Sequence, residues 1–156
     1  MNQGENLLNS GGLTIQTAEG AGVNLGSLTE VRQILNEFAA EVVGIWQNFI
    51  AGDCTQQEAM VALTATAERH AAIWKGEREG FALPPWRTPP VLAGKIVAWV
   101  PGIGGQDPIR GYFLWLGRQI LKGAQEVTDG MALEQAGPEL ALVLGDAAEK
   151  LAGVQP

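Results

Sequence analysis

Few side chains in this sequence have the types and spacing that enzyme chemistry requires. His70 is the only histidine and Cys54 the only cysteine, whereas zinc sites need three or four ligands of these kinds. A general base works beside a nucleophile or an orienting acid, and no motif around His70 provides one. The expected helix places His70 on its apolar face, which predicts a hydrogen-bonded histidine of the core or of an interface. The sequence therefore predicts a non-enzymatic protein without a metal or cofactor.

The remaining candidate groups also favour structural roles. A helix start near Cys54 favours a reactive thiolate, but the aspartate before it opposes one, so an unreactive thiol is expected. Glu77 and Glu79 are two residues apart and would not share a helix face, which indicates solvated side chains. The loop Gly102-Ile-Gly-Gly105 lacks the P-loop pattern, and Asp107 after it would repel a phosphate. A tight turn is the prediction for this loop.

The composition indicates a folded protein with an unusual surface. The 156 residues fit one domain. Apolar residues make up 46% of the chain, but only 17% are charged, against roughly 25% in typical domains. The sequence also contains five tryptophans, a residue enriched at interfaces as well as in cores. We therefore expect other protein to cover part of the surface.

Charge is distributed in three blocks along the chain. Residues 1–60 carry seven acids and one base, residues 61–125 eight bases and four acids, and residues 126–156 six acids and one base. Such a chain can neutralise itself on folding or pair head to tail with copies of itself. The net charge of −7 argues against nucleic acid as a partner. The lack of a basic signal-peptide start and of an apolar stretch of ~20 residues predicts a cytoplasmic or virion-assembled protein without a transmembrane helix.

Residues 1–26 are predicted to form an extended or flexible N-terminal arm. They contain six glycines, which disfavour a helix, and residues 13–17 alternate weakly in hydrophobicity, as a short strand does. Two interpretations stay open, a disordered tail and an arm that orders on a partner. The apolar residues Leu13 and Ile15 favour the arm, because a solvated tail has no need of them.

Two capping boxes mark the starts of two amphipathic helices. Ser27 with Glu30, and Thr55 with Glu58, each place a hydroxyl and a carboxylate three residues apart. Helices are therefore predicted over about 28–51 and 56–75, joined as an antiparallel pair by a short connection. Apolar residues recur at spacings of three and four in both helices. The expected stripe of the second helix consists of Met60, Leu63, Ala67, His70, Ala71 and Trp74.

The segment FALPPWRTPP, residues 81–90, is predicted to form a rigid proline elbow over 84–90. Each proline fixes φ, removes an amide donor and keeps the preceding residue out of the α region, so an extended strut is expected. Trp86 can stack on the prolines or fill a groove of the same chain. A linker between domains is less favoured because neither side is long enough to be a comfortable domain. A docking peptide is disfavoured because P-x-x-P spacing is absent.

Three more helices are predicted after the elbow. The apolar residues 91–100 suit a helix or a strand, and a helix over about 90–100 is preferred because proline is tolerated in a first turn. Asp107 followed by Pro108 is a strong start and predicts a helix over about 108–127. A final acidic helical region over about 131–152 is expected to be reset at Gly137 and Pro138.

These elements predict an all-α fold: a single compact bundle of four to five helices over 27–156, with the Gly-rich arm and the proline elbow. The expected function is that of a structural subunit in a larger homo- or hetero-oligomer, by class analogy with virion tail or head–tail connector proteins. Its partners would be copies of itself or other subunits, and its interface candidates are Leu13, Ile15, Trp86, Trp115 and Arg118.

Two other functions stay open. A small-molecule-binding module or enzyme would use a pocket lined by Trp86, Trp99 and Trp115. A membrane-surface protein would use the apolar and basic aromatic residues 91–121, although the acidic ends of the chain oppose binding to anionic lipid.

Overall fold

The computed structural model describes residues 23–103, 105–130 and 133–153, with the side chains of the last range from 137 onward. Five helices are present in these ranges: α1 (Leu28–Ile50), α2 (Gln56–Trp74), α3 (Pro89–Trp99), α4 (Pro108–Thr128) and α5 (Leu133–Ala152). The predicted all-α bundle is confirmed. Most of the predicted N-terminal arm, residues 1–22, lies outside the described residues.

The bundle is organised around α4. This helix packs against each of the other four helices, and α1 packs against α2, α4 and α5. Helices α2 and α5 therefore both rest on the α1–α4 pair, and the core lies among these four helices. The largest fully buried apolar side chains of the core are Trp74, Tyr112, Phe38, Phe113, Leu25, Leu35, Leu63, Ile73, Leu92, Ile96 and Leu116.

Both capping boxes predicted from the sequence are formed. The Glu30 amide donates to Ser27 Oγ at 3.2 Å, and the Ser27 amide donates to Glu30 Oε1 at 3.1 Å. The corresponding distances between Thr55 and Glu58 are 3.1 and 2.8 Å. These bonds satisfy amide groups that have no partner within the helix, and so they fix where α1 and α2 begin.

The start of α4 is also held as the sequence indicates. Asp107 Oδ1 accepts a hydrogen bond from the Arg110 amide at 3.1 Å, and Pro108 occupies the first helical position. The other carboxylate oxygen of Asp107 lies 2.7 Å from Lys75 Nζ, at the end of α2. This ion pair joins the end of α2 to the start of α4, so the two helices run antiparallel.

The proline segment is a compact turn rather than an extended strut. The Arg87 amide donates to the Pro84 carbonyl at 3.0 Å, which closes a turn that the prolines themselves do not prevent. Pro89 and Pro90 then occupy the first turn of α3. Just before the turn, β2 (Phe81–Ala82) forms a short parallel pair with β1 (Val23–Asn24). This pair was not predicted from the sequence. It joins the segment before α1 to the segment before the proline turn.

Two expectations were wrong. Helix α5 continues through Gly137 and Pro138 without a reset, because Pro138 lies in its second turn and removes a single intrahelical hydrogen bond while the helix packs on α1 and α4. Met60, expected in the buried stripe of α2, is 41% exposed. It lies in the second turn of α2, close to the end of the bundle where α1 stops.

Candidate interaction surface

The structure separates the residues that the sequence offered as interface candidates. Leu13 and Ile15 lie outside the described residues. Trp86 is half-buried and packs against the core from the turn before α3, whereas Trp115 is half-buried on α4. Arg118 is exposed and lies three residues after Trp115, so these two are neighbours on the surface of α4.

Trp115 belongs to an aromatic cluster between α3 and α4. Its ring stacks on that of Tyr112 with centroids 5.8 Å apart, and Tyr112 also meets Trp99 at 5.9 Å. Lys150 of α5 places its ammonium 5.9 Å from the Trp99 ring centroid. Burial and the negative charge of Asp146 raise the pKa of Tyr112, so its hydroxyl stays protonated. Among the described residues, no ring contact joins Trp86 to this cluster.

A second apolar surface lies at the end of the bundle where α1 passes into α2. Ile50 is 50% exposed and Val61 63% exposed, and Met60 stands beside Val61. Trp46, one turn before Ile50 on α1, and Phe49, the residue before Ile50, are half-buried with ring centroids 5.6 Å apart. We call these five residues the hairpin-end surface. This surface was not predicted from the sequence, because the interpretation relied on helical stripes of apolar residues. The available signal was Val61, an apolar residue outside the stripe expected for α2.

The C-terminal end of α4 holds the Trp46 side chain of this surface in place. Trp46 Nε1 donates a hydrogen bond to Thr128 Oγ1 at 3.0 Å, and Thr128 Oγ1 in turn donates to the Ala124 carbonyl at 3.3 Å. The indole therefore has a fixed position, with its polar nitrogen satisfied and part of its apolar face at the surface. A fixed aromatic ring of this kind loses little conformational entropy when a partner covers it.

His70 lies in a polar cluster between α1 and α2. Its Nε2 is 3.5 Å from Glu41 Oε2, while Thr66 Oγ1 and the Arg69 guanidinium both donate to Glu41 Oε1. Among the described residues, Nδ1 of His70 has no hydrogen-bond partner. Phe38 covers the imidazole at a centroid distance of 4.8 Å. The Thr66 hydroxyl of the cluster is buried and donates to Glu41, and His70 is only 2% exposed, so the arrangement is that of a buried polar contact between helices.

Electrostatics within this cluster favour a neutral histidine and a charged glutamate. Burial lowers the pKa of His70, and the carboxylate of Glu41 opposes this only in part. Burial works to raise the pKa of Glu41, but the hydrogen bond from Thr66 and the charges of Arg69 and His70 outweigh it, so the pKa lies below its usual value. At neutral pH the contact therefore joins a neutral imidazole to a carboxylate.

The other groups considered for chemistry lie apart from one another. Cys54 is half-buried, whereas Glu77 and Glu79 are exposed. Gly102 and Gly105 adopt positive φ values of 94° and 95°, as the predicted tight turn requires. Over the residues that the structure describes, no three His, Cys, Asp or Glu side chains come together as metal ligands. In the same part of the chain, no helix has the length and hydropathy needed to cross a bilayer.

No protein-family model, no curated protein and no solved structure matches this chain. The function must therefore be argued from the geometry alone.

Proposed function

We propose that this protein is a non-enzymatic structural subunit that packs against other protein chains in a larger assembly, with the hairpin-end surface as its main contact. The observation that carries this proposal is that Ile50, Met60 and Val61, three of the five exposed large apolar side chains among the described residues, all lie at the end of α1 or in the first two turns of α2. Exposed apolar residues scattered singly along a chain need no explanation, but several near one end of a bundle indicate a candidate interface.

The energetics favour covering this surface. Full burial of an aliphatic side chain is worth roughly 1.5–3 kcal/mol, so covering the exposed halves of three such residues contributes a few kcal/mol. The half-buried tryptophans Trp86, Trp99 and Trp115 add further apolar area outside the hairpin-end surface. The low charge content of the chain, 17%, is consistent with a surface that is partly covered.

The partners in this proposal are further copies of the chain or neighbouring subunits of the same assembly. Within that class, a virion tail or head–tail connector subunit is the placement we favour, on class analogy of size and helical build. The genes adjacent to the coding sequence provide a direct check, since capsid, portal or tail genes there would support this placement.

Size-exclusion chromatography with light scattering tests the proposal. The full chain is run over a hundredfold range of concentration, alone and mixed with the products of adjacent genes. We expect complexes larger than a monomer that dissociate in the double variant Ile50→Glu with Val61→Glu. The control is Leu142→Glu, which replaces an even more exposed apolar residue on α5, away from the hairpin end.

The outcome decides between two clear cases. Loss of the complex in the double variant but not in the control supports the hairpin-end surface as the contact. A monomer under every condition, with the double variant eluting like the wild type, would overturn the proposal.

A further inference from the structure

Arg87 is a buried cation at the centre of the proline turn. It is 2% exposed, and its amide closes the turn onto Pro84. Nε, Nη1 and Nη2 of its guanidinium are all buried, and none has a hydrogen-bond acceptor among the described residues. Arginine is rarely buried to this extent without a partner, so the position needs an explanation.

Trp74 lies beside Arg87 and also has a buried N–H group without an acceptor among the described residues. The guanidinium carbon is 5.7 Å from the centroid of the Trp74 ring, within the range of a cation–π contact. Trp74 is itself fully buried, and its indole Nε1 also has no acceptor among the described residues. Two adjacent side chains thus present N–H donors that no oxygen of the described chain accepts.

The charge of Arg87 is not offset within the described structure. Burial lowers the pKa of Arg87 to about 10, and no neighbouring carboxylate counters this effect. The side chain therefore remains positively charged at neutral pH. A cation–π contact offsets only part of the free-energy cost of burying an unpaired ion. A bound anion removes this imbalance, while a buried water would satisfy a donor without offsetting the charge.

We propose that Arg87 and Trp74 form a binding site for a small oxyanion, a carboxylate or phosphate group supplied by a ligand from outside the chain. The guanidinium presents parallel N–H donors that match the two oxygens of such a group, and Trp74 Nε1 is a second buried donor next to it. This site is independent of the hairpin-end surface, which lies at the other end of α2.

The turn itself provides the route of entry. Between Leu83 and Arg87 the one described backbone hydrogen bond is that of the turn, from Arg87 to Pro84. The segment is otherwise held by β2 before it, by the first turn of α3 after it, and by the packing of Leu83 and Trp86 against the core. An outward movement of the turn therefore breaks few hydrogen bonds and exposes the guanidinium to a ligand.

Unfolding of the full chain in oxyanion-free buffer, titrated with sodium phosphate or sodium acetate, tests the site. Sodium chloride of matched ionic strength is the reference. We expect the folding equilibrium constant to rise with oxyanion concentration, reaching about a 100-fold increase at one hundred times the dissociation constant. A response to phosphate alone, or to both anions, identifies the preferred oxyanion, and both results support the site.

The variant Arg87→Met should abolish this response. In oxyanion-free buffer it should be at least as stable as the wild type, because it removes an unpaired buried charge. The matched control is Arg78→Met, which removes an exposed arginine from the same connection, where it lies 5.0 Å from the Phe81 ring centroid. The control should keep the full response.

A second measurement covers the case in which Arg87→Met does not fold. The indole N–H resonance of Trp74, assigned with Trp74→Phe, should shift during the phosphate titration of the wild-type protein. A Trp74 resonance and a stability that respond to phosphate and acetate no more than to chloride would overturn the proposal. The proposal would also be overturned if the paired substitutions Glu5→Gln and Glu19→Gln destabilised the wild-type protein but not the Arg87→Met variant. A carboxylate of the chain itself would then pair with Arg87.

Discussion

His70 ties the stability of this protein to pH. The side chain is buried against Phe38 and faces one carboxylate, that of Glu41, and two cations, those of Arg69 and Arg78. The net effect is a pKa below the usual value of 6.5. The folded protein therefore prefers the neutral imidazole, while the unfolded chain takes up a proton near pH 6.5.

We expect the free energy of unfolding to fall as the pH is lowered from 7 towards 5. Above about pH 6.5 the histidine is neutral in both states. Below it, the unfolded state binds the proton first, at about 1.4 kcal/mol for each unit by which the folded pKa is lowered. Chemical denaturation between pH 5 and 7.5 measures this slope. His70→Gln should flatten it, and an unchanged slope would contradict the assignment, since the sequence contains no second histidine.

A second loss of stability is expected at lower pH from Glu41. Its pKa lies below the usual value of 4.5, so its contribution is present above that pH and disappears as the carboxylate is protonated below it. The variant Glu41→Gln should remove this lower phase. It should also lower the pKa of His70 further, because the carboxylate that favours the imidazolium is gone.

The sequence predicted single residues less well than it predicted helices. The helical stripe placed His70 on a buried face, but its partner Glu41 is 29 residues away on another helix. Arg87 was not recognised at all, because the surrounding prolines predicted an extended strut, and that pattern does not indicate which of its side chains are buried. Burial of a charged side chain depends on the packing of distant elements, and local patterns do not contain that information.

Helix starts were predictable where residues adjacent in the sequence form the capping hydrogen bonds. The capping boxes at Ser27 and Thr55 and the pair Asp107–Pro108 all specify local hydrogen bonds, and all three are formed. The pairing of β1 with β2 was not predictable, since two residues on each strand give no periodic signal. The interfaces between helices depend on small residues whose role emerges only after packing.

Glycines on two helices should respond oppositely to the same substitution. A Cβ at Gly117 of α4 would lie 3.0 Å from Leu63 Cδ1 and 3.4 Å from Phe38 Cζ, both on buried side chains that have no room to move. Gly94 of α3 is exposed, and a Cβ there meets nothing within 4 Å.

We therefore expect Gly94→Ala to stabilise the protein by about 0.5–1 kcal/mol through helix propensity. For Gly117→Ala, crowding costs about 1–3 kcal/mol and exceeds the same gain, so the variant should be less stable than the wild type. Urea denaturation measures both. Equal stabilisation by the two substitutions would show that α4 does not approach α1 and α2 as closely as described.

At the scale of the whole molecule, the net charge opposes association between copies, whereas exposed apolar surface favours it. Each copy carries a net charge of −7, which repels other copies over a Debye length of about 10 Å at 0.1 M salt. Contact through the hairpin-end surface is apolar and is not weakened by salt. Head-to-tail pairing of acidic and basic blocks, the other route considered from the sequence, depends on attraction between charges.

Self-association through the hairpin-end surface should therefore strengthen as salt increases. Light scattering at 50 and 500 mM sodium chloride, at one protein concentration, measures the change in mean mass. A larger mass at high salt is expected because repulsion between copies is screened. A smaller mass at high salt would instead indicate that the blocks of opposite charge hold the copies together.

The central position of α4 has a consequence for how the protein is made. Helices α1 and α2 are synthesised first, yet much of their buried surface is closed by α4, which begins only at residue 108. A nascent α1–α2 pair therefore leaves the ribosome with apolar faces that stay open until α4 has been synthesised. Those faces are targets for chaperones during that interval, and stalled or truncated translation products ending before α4 should aggregate.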